Sequence, residues 1–276
     1  MTRTASVSSA ASEDLLVHRE AGVLVLTFNR PSVRNALTPP MMEIMGRELA
    51  AAELDNAIGC IVITGAGGAF CAGGDVRAMA QRNASGQAID HTLRMEQQRQ
   101  SHRAVPLRLF EMGKPTLAAL PGAAAGAGFS IALACDMRIA AESATMTTAF
   151  AKVGLTGDYG GTYLLTQLVG PAKARELYLL ADRIDITEAL RLGIVNWVVP
   201  QTDLMVRAMD IAKRLAAGPR VAHRLLKDNL NRALKATFAD CLDMESANLA
   251  QARFTEDHKE AAAAFAEKRS PRFKGR

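Results

Sequence analysis

Two short runs of β-branched and aromatic residues, Val23 to Phe28 and Cys60 to Thr64, stand out from the polar sequence around them. Turn-forming residues close each run, Asn29-Arg30-Pro31 after the first and Gly65-Ala66-Gly67-Gly68 after the second, so both predict buried strands. Between them Pro39-Pro40 opens a stretch in which Met41, Ile44, Met45, Leu49 and Leu54 recur at helical spacing. The pattern continues with a long polar helix from about Ile89 to Met112, a strand from Thr116 to Leu120, and a Gly-punctuated turn into a helix from Phe129 to Ala134. Strands that alternate with helices in this way predict a mixed α/β fold.

Past Gly170 helical patterns dominate. They start near Pro171, Thr187, Thr202, Pro219 and Ala236, and only Val195 to Val199 reads as a strand. A soft boundary near residue 200 divides the chain into a tail (1–12), an α/β core (13–200) and a C-terminal helical region (201–276). The stripe Leu204, Ala208, Ile211, Ala212 and Leu215 must be buried, against the core or against a neighbouring subunit.

Composition narrows the function classes. The 276 residues are 49% hydrophobic and 22% charged, the balance of a soluble globular protein. The longest apolar run, Leu117 to Leu133, is cut by Pro121, Gly122, Gly126 and Gly128 and falls short of the ~20 residues of a membrane span. The tail is rich in Ser, Ala and Thr and has no apolar stretch of the kind a secretory signal needs. Four scattered cysteines, Cys60, Cys71, Cys135 and Cys241, form no CxxC and predict reduced thiols in the cytoplasm. The net charge of +5 is spread along the chain and aromatics are 5%, too few for base stacking, so an anionic small ligand is expected rather than a nucleic acid.

Two Gly-rich segments, Gly65 to Asp75 and Gly122 to Ser130, each follow a predicted strand with almost no side-chain bulk. Small residues let a ligand approach the backbone, and the first N–H groups of a following helix point outward with partial positive charge. A single loop of this kind is most simply a tight turn with close helix packing. Two in successive strand-turn-helix units predict a shared site for one oxygen atom.

These segments resemble those of the crotonase, or enoyl-CoA hydratase/isomerase, superfamily, and the resemblance runs from Leu24 to the end. It is carried by Asn29-Arg30-Pro31 with Asn35-Ala36-Leu37, Phe70 to Asp75, Pro121 to Ala132 with Cys135-Asp136, Gly160-Gly161-Thr162, and Ala189-Leu192-Gly193-Ile194-Val195. Within the superfamily, the stretches Ala149 to Leu155, Asp158 to Thr162 and Phe265 to Phe273 are most similar to those of ring-1,2-epoxyphenylacetyl-CoA isomerases. The resemblance implies a spiral of ββα units, an acyl-CoA substrate, no metal or redox cofactor, and trimers or paired trimers. It also implies an oxyanion hole made by the N–H groups of Gly74 and Ala127. Further substrate contacts are implied for Arg34, Ala36, Ala72, Asp75, Val76, Gly126, Phe129, Phe150, Tyr159 and Lys268, and Arg30 and Arg269 are further candidates for the coenzyme phosphates.

The typical hydratase carries two glutamates, one in the helix after the second Gly loop and one twenty residues later; here those positions hold Ser130 and Phe150. Isomerases and dehalogenases of the superfamily place their working carboxylate in the turn occupied here by Asp158. The expectation is therefore an isomerase that moves a double bond or expands an epoxyphenylacetyl ring. Asp158 acts as its base, with Phe150, Leu155 and Tyr159 as apolar neighbours. Helix capping is the other role open to Asp158. His102 stands where a dehalogenase-type member uses a His, but a lone His on a polar helix reads first as a solvated side chain. Three rivals remain: a hydratase, hydrolase or dehalogenase on the same fold; a nicotinamide-dependent oxidoreductase; and an RNA-binding protein. The second requires an acidic residue closing a strand after Gly122 to Gly128, and Glu142 follows a clear strand rather than ending one.

Overall fold

Alternation along the central strands sorts their side chains onto two faces. In β2 (Val23–Phe28), Leu24, Leu26 and Phe28 enter one hydrophobic cluster and Val23 and Val25 another. Ile61 and Ile63 oppose Cys60 and Val62 in β3 (Cys60–Gly65), and Ala118 and Leu120 oppose Leu117 and Ala119 in β4 (Thr116–Leu120). Strands buried on both faces read as continuous apolar runs, which is why these three were legible in the sequence. The computed structural model describes residues 14–85 and 90–276, so the predicted tail lies outside the described residues.

The main sheet has six strands in the order β1-β2-β3-β4-β6-β9, where β1 is Leu15–Glu20, β6 Met137–Ala141 and β9 Trp197–Val199. The β1–β2 pair is antiparallel and the other pairs are parallel. A second ladder runs beside it. It consists of the bridges Leu37–Gly74 and Cys71–Ala124 and a small sheet of β5 (Ala124–Ala125), β7 (Thr145–Thr147) and β8 (Ile184–Asp185). Chain order therefore repeats long strand, short pairing, helix, which is the expected spiral of ββα units. The helices of the repeats are α1 (Pro39–Leu54), α2 (Val76–Ala84), α5 (Ala127–Ala134) and α6 (Gly161–Leu180).

Where helix 89–112 was expected, α3 (His91–His102) passes into a π-helical turn at Arg103–Leu107, which contains Pro106, and then into α4 (Arg108–Glu111). Glu142 directly follows the last residue of β6 and does not end that strand, in agreement with the sequence reading.

The C-terminal helices are α7 (Ile186–Arg191), α8 (Leu204–Ala216), α9 (Arg220–Ala233), α10 (Phe238–Arg253) and α11 (Glu256–Ala266). The α8 stripe is buried against the second face of the main sheet, with Leu204, Ala208 and Ala212 in the cluster of Val23, Val62 and Leu117. The boundary near residue 200 thus falls just before a helix that packs into the core. Among the described residues no helix is long and apolar enough to cross a membrane.

Candidate active site

Backbone pairing brings the two Gly-rich turns together. Phe70 and Cys71 donate to the Ala123 carbonyl at 3.0 and 3.2 Å, and Ala125 donates back to Cys71 at 2.9 Å. The fit leaves no room for side chains: a Cβ on Gly128 would lie 2.5 Å from the Cys71 carbonyl, and one on Gly73 would lie 2.7 Å from the Ala125 carbonyl and 3.2 Å from the Ala127 nitrogen. Gly73 (φ 85°) and Gly126 (φ 52°) both take left-handed backbone, which glycine adopts without strain. Ala127 is the first residue of α5, and no backbone acceptor is found for its N–H or that of Gly74 among the described residues. Two N–H groups on adjoining turns, one at a helix start, can share an anionic oxygen.

The first turn is braced from below. Asn35 is fully buried and donates to the carbonyls of Ala66, Ala69 and Phe70, while its own side-chain oxygen accepts from Arg30 N. The Arg30 guanidinium donates to the Ala36 carbonyl at 2.7 Å and pairs with Asp75 at 3.4 Å. Asp75 also caps α2 by accepting from Ala78 N at 3.1 Å. That bond and Arg30 hold the Asp75 carboxyl below the ordinary range, so this carboxylate is engaged and a poor base.

Asp158 is not the cap of α6. The cap position is Gly160, with no side-chain cap, and the Asp158 carboxylate turns instead toward α3. Its Oδ1 accepts from Tyr159 N at 2.9 Å and from Gln98 Nε2 at 3.1 Å, and lies 2.6 Å from His102 Nε2. The reading of His102 as solvated is corrected: Nε2 is buried, and this oxygen is the charged partner it approaches, off the line of a hydrogen bond. The His102 ring packs on Tyr159 at 4.8 Å, and the Tyr159 hydroxyl lies 3.0 Å from that of Ser101. Burial pushes the Tyr159 phenol up. Polar groups of α3 thus replace part of the apolar company expected for Asp158.

The positions of the two missing glutamates are filled. Ser130 donates to the Gly126 carbonyl at 3.2 Å, and a Cβ on Gly161 would lie 2.2 Å from its Oγ and 2.6 Å from the Tyr178 hydroxyl. The Phe150 ring stacks on Tyr178 with centroids 6.3 Å apart. Burial pushes the Tyr178 phenol up to about 12, against a hydrogen bond with Ser130 that lowers it. Neutral side chains packed on Tyr178 and Gly126 thus occupy both positions.

The remaining candidates divide. Arg34 (φ 50°) accepts from Ala72 N through its carbonyl at 2.9 Å, so both sit on the rim of the first turn with Ala36, and Val76 is half-exposed at the start of α2. The Phe129 ring is buried in the core cluster. Lys268 and Arg269 follow α11, and no hydrogen bond or ion pair links either to the two turns among the described residues; Arg269 pairs with Glu260. Sequence reasoning missed Gln98, Ser101 and Tyr178. The first two carry a signal only in being three residues apart on a polar helix. Two surface clefts, 280 Å³ beside Trp197 and 620 Å³ beneath the C-terminal tail, lie away from these turns. Among the described residues no group of three or more His, Cys, Asp or Glu side chains stands together as a metal site.

Comparison with known proteins adds a family. The sequence profile of enoyl-CoA hydratase/isomerase matches residues 18–276. A 1,2-epoxyphenylacetyl-CoA isomerase from Escherichia coli (strain K12) is 37% identical over 266 residues, 96% of this chain and 99% of the relative. A short-chain-enoyl-CoA hydratase from Clostridium acetobutylicum is 35% identical over 257 residues, 93% of this chain and 95% of the relative. Among solved structures, an enoyl-CoA hydratase from Polaromonas sp. JS666 superposes with a TM-score of 0.87 at 33% identity, covering 94% of this chain and 99% of that one.

Proposed function

The chain belongs to the enoyl-CoA hydratase/isomerase family, whose members act on CoA thioesters, and within it we propose that this protein is a proton-transfer isomerase working through Asp158. One observation carries the choice: Asp158 keeps one carboxylate oxygen without a partner among the described residues, while Ser130 and Phe150 leave the positions of a water-holding pair without an acid. Asp75, the other carboxylate beside the Gly turns, is tied to Arg30 and to the start of α2.

The thioester oxygen rests between the N–H groups of Gly74 and Ala127, and Asp158 takes a proton from C2. The electron pair of the broken C–H bond spreads onto that oxygen as a dienolate, which the two donors stabilise. Losing one donor of this kind typically costs ~10²–10³ in rate. Return of the proton to C4 moves the double bond from position 3 to position 2. With an epoxyphenylacetyl-CoA substrate the same site promotes ring expansion to the oxepin, a reading that the 37% identity to the Escherichia coli isomerase supports. Hydratase names among the relatives keep water addition as the rival.

Family membership sets the nicotinamide reading aside. The proposal includes no metal or redox cofactor, a coenzyme contact shared by Arg34, Ala36, Ala72 and Val76, a cytoplasmic location and assembly into trimers or paired trimers, with Lys268 reaching the coenzyme from the C-terminal tail.

A panel of 3-hexenoyl-CoA, crotonyl-CoA and epoxyphenylacetyl-CoA, incubated without added metal or nicotinamide and read by mass and product structure, tests the function. Conversion of the first or third is expected. Hydration of crotonyl-CoA at the ~10–10³ per second of a good enzyme sinks the isomerase reading.

A further inference from the structure

We propose that one face of α3, made by Gln98, Ser101 and His102, fixes Asp158 so that a single carboxylate oxygen, Oδ2, carries the proton from C2 to C4. This rests on the isomerase reading above. Residues 98, 101 and 102 are spaced three and four apart and share one face of the helix. Gln98 Nε2, His102 Nε2 and the N–H of Tyr159 all converge on Oδ1, at 3.1, 2.6 and 2.9 Å. No partner is found for Oδ2 among the described residues, and the carboxylate keeps 25% of its side-chain surface exposed.

An unheld carboxylate turns about its last torsion and exchanges its two oxygens. Two hydrogen bonds to Oδ1, from Gln98 and from Tyr159 N–H, with His102 Nε2 set close against the same oxygen, stop that rotation, so the orientation of the base is prepaid before substrate arrives. The His102 end of this face is itself held. Tyr159 packs on the His102 ring and is tethered through its hydroxyl to Ser101. Directly after His102 the helix widens into the π turn Arg103–Leu107, a local irregularity that recurs at functional sites.

The step is balanced without exchange. The C2–H bond breaks, its proton joins Oδ2 and its electron pair enters the dienolate; the Oδ2–H bond then breaks and the same proton joins C4. Because the carboxyl does not turn, that proton stays facing the substrate. Gln98 and His102 are positioning residues, since they touch the base and not the substrate.

The test uses 3-hexenoyl-CoA carrying deuterium at C2, turned over in ordinary water, with deuterium at C4 of the product measured by NMR. The parent enzyme is expected to deliver a measurable share of the label to C4. His102→Gln and Gln98→Ala should retain the parent melting temperature, lose about tenfold in kcat with KM changed less than about twofold, and deliver about half the parent share of label or less. Parent values of kcat and label transfer in both variants overturn the proposal, as does a parent product without deuterium at C4. If His102→Gln does not fold, Gln98→Ala, changed on an exposed side chain, decides alone. Asp158→Asn separates the two levels: activity in that variant defeats the isomerase reading itself, whereas an inactive Asp158→Asn beside unaffected Gln98 and His102 variants defeats only the positioning.

Discussion

Neighbouring glycines in the first turn face different constraints. Gly73 has φ 85° and abuts the Ala125 carbonyl, whereas a Cβ on Gly74 meets only the mobile end of Met79, at 2.7 Å. Left-handed backbone costs a non-glycine residue about 1–2 kcal/mol before any clash. Gly73→Ala is therefore expected to lower the melting temperature by several degrees and to cut turnover, while Gly74→Ala keeps its N–H and changes both far less. Asp158 has the opposite profile. It caps no helix, so Asp158→Asn should leave thermal stability within about 1 kcal/mol of the parent while kcat falls 10²–10⁴-fold and acyl-CoA affinity changes little, as calorimetry and steady-state kinetics can check. Near-parent turnover combined with a clear loss of stability would return Asp158 to a structural role.

Among the elements, α9 is anchored through one buried cation. Lys227 donates to the carbonyls of Leu109 and Lys114 and to Asp136, at 3.0, 3.3 and 3.0 Å, and Asp136 in turn accepts from Thr116 at the start of β4. Lys227→Met fills the space but leaves those acceptors short of a donor, and denaturant titration is expected to show a loss of about 2 kcal/mol. The C-terminal tail is held on α11 by a different device. Glu260 accepts from Arg269 and from the N–H of Arg272, and these bonds lower its carboxyl from the ordinary 4.5 to about 2. A carboxylate depressed in the folded state stabilises above its unfolded value, and that contribution is lost as pH falls through the folded one. Tail docking should therefore be complete above about pH 4.5 and fail toward pH 2. Hydrogen exchange of residues 268–276 across that window is the measurement, and Glu260→Gln should loosen the tail already at neutral pH.

At the scale of the molecule, the main sheet is covered on both faces, yet the outer helices still present apolar side chains. Leu226, Leu230 and Leu234 form one stripe along α9, and Phe238, Phe254 and Phe265 are exposed at the ends of α10 and α11. Scattered apolar residues are normal on a surface, but a stripe flanked by exposed phenylalanines is characteristic of an interface. The proposed trimer predicts a sedimentation mass three or six times that of the chain, and Leu230→Asp should shift it toward one; a parent sedimenting as a monomer removes the assembly from the proposal.

The sequence by itself determined the parts that depend on local pattern. Strands buried on both faces carry uninterrupted apolar residues, so β2, β3 and β4 were legible, and the helix start at Pro39 was marked by proline. The two Gly turns were legible for the same reason, because each is a run of small residues after a strand, whereas only the family resemblance directed attention to the missing acids at 130 and 150. The edge strand β1, with one fully buried residue, and the short strands β5, β7 and β8 lacked that pattern, since their order comes from pairing with distant partners. Tertiary structure alone decided what surrounds Asp158. His102 lies 56 positions before it and Gln98 60 before it, and no local periodicity links a polar helix to a turn that far along the chain. Only the packing of α3 over the turn at Asp158 and Tyr159, just before α6, makes them neighbours. It likewise assigned the α8 stripe to the core, because amphipathicity states that a helix face must be buried and leaves open which surface will cover it.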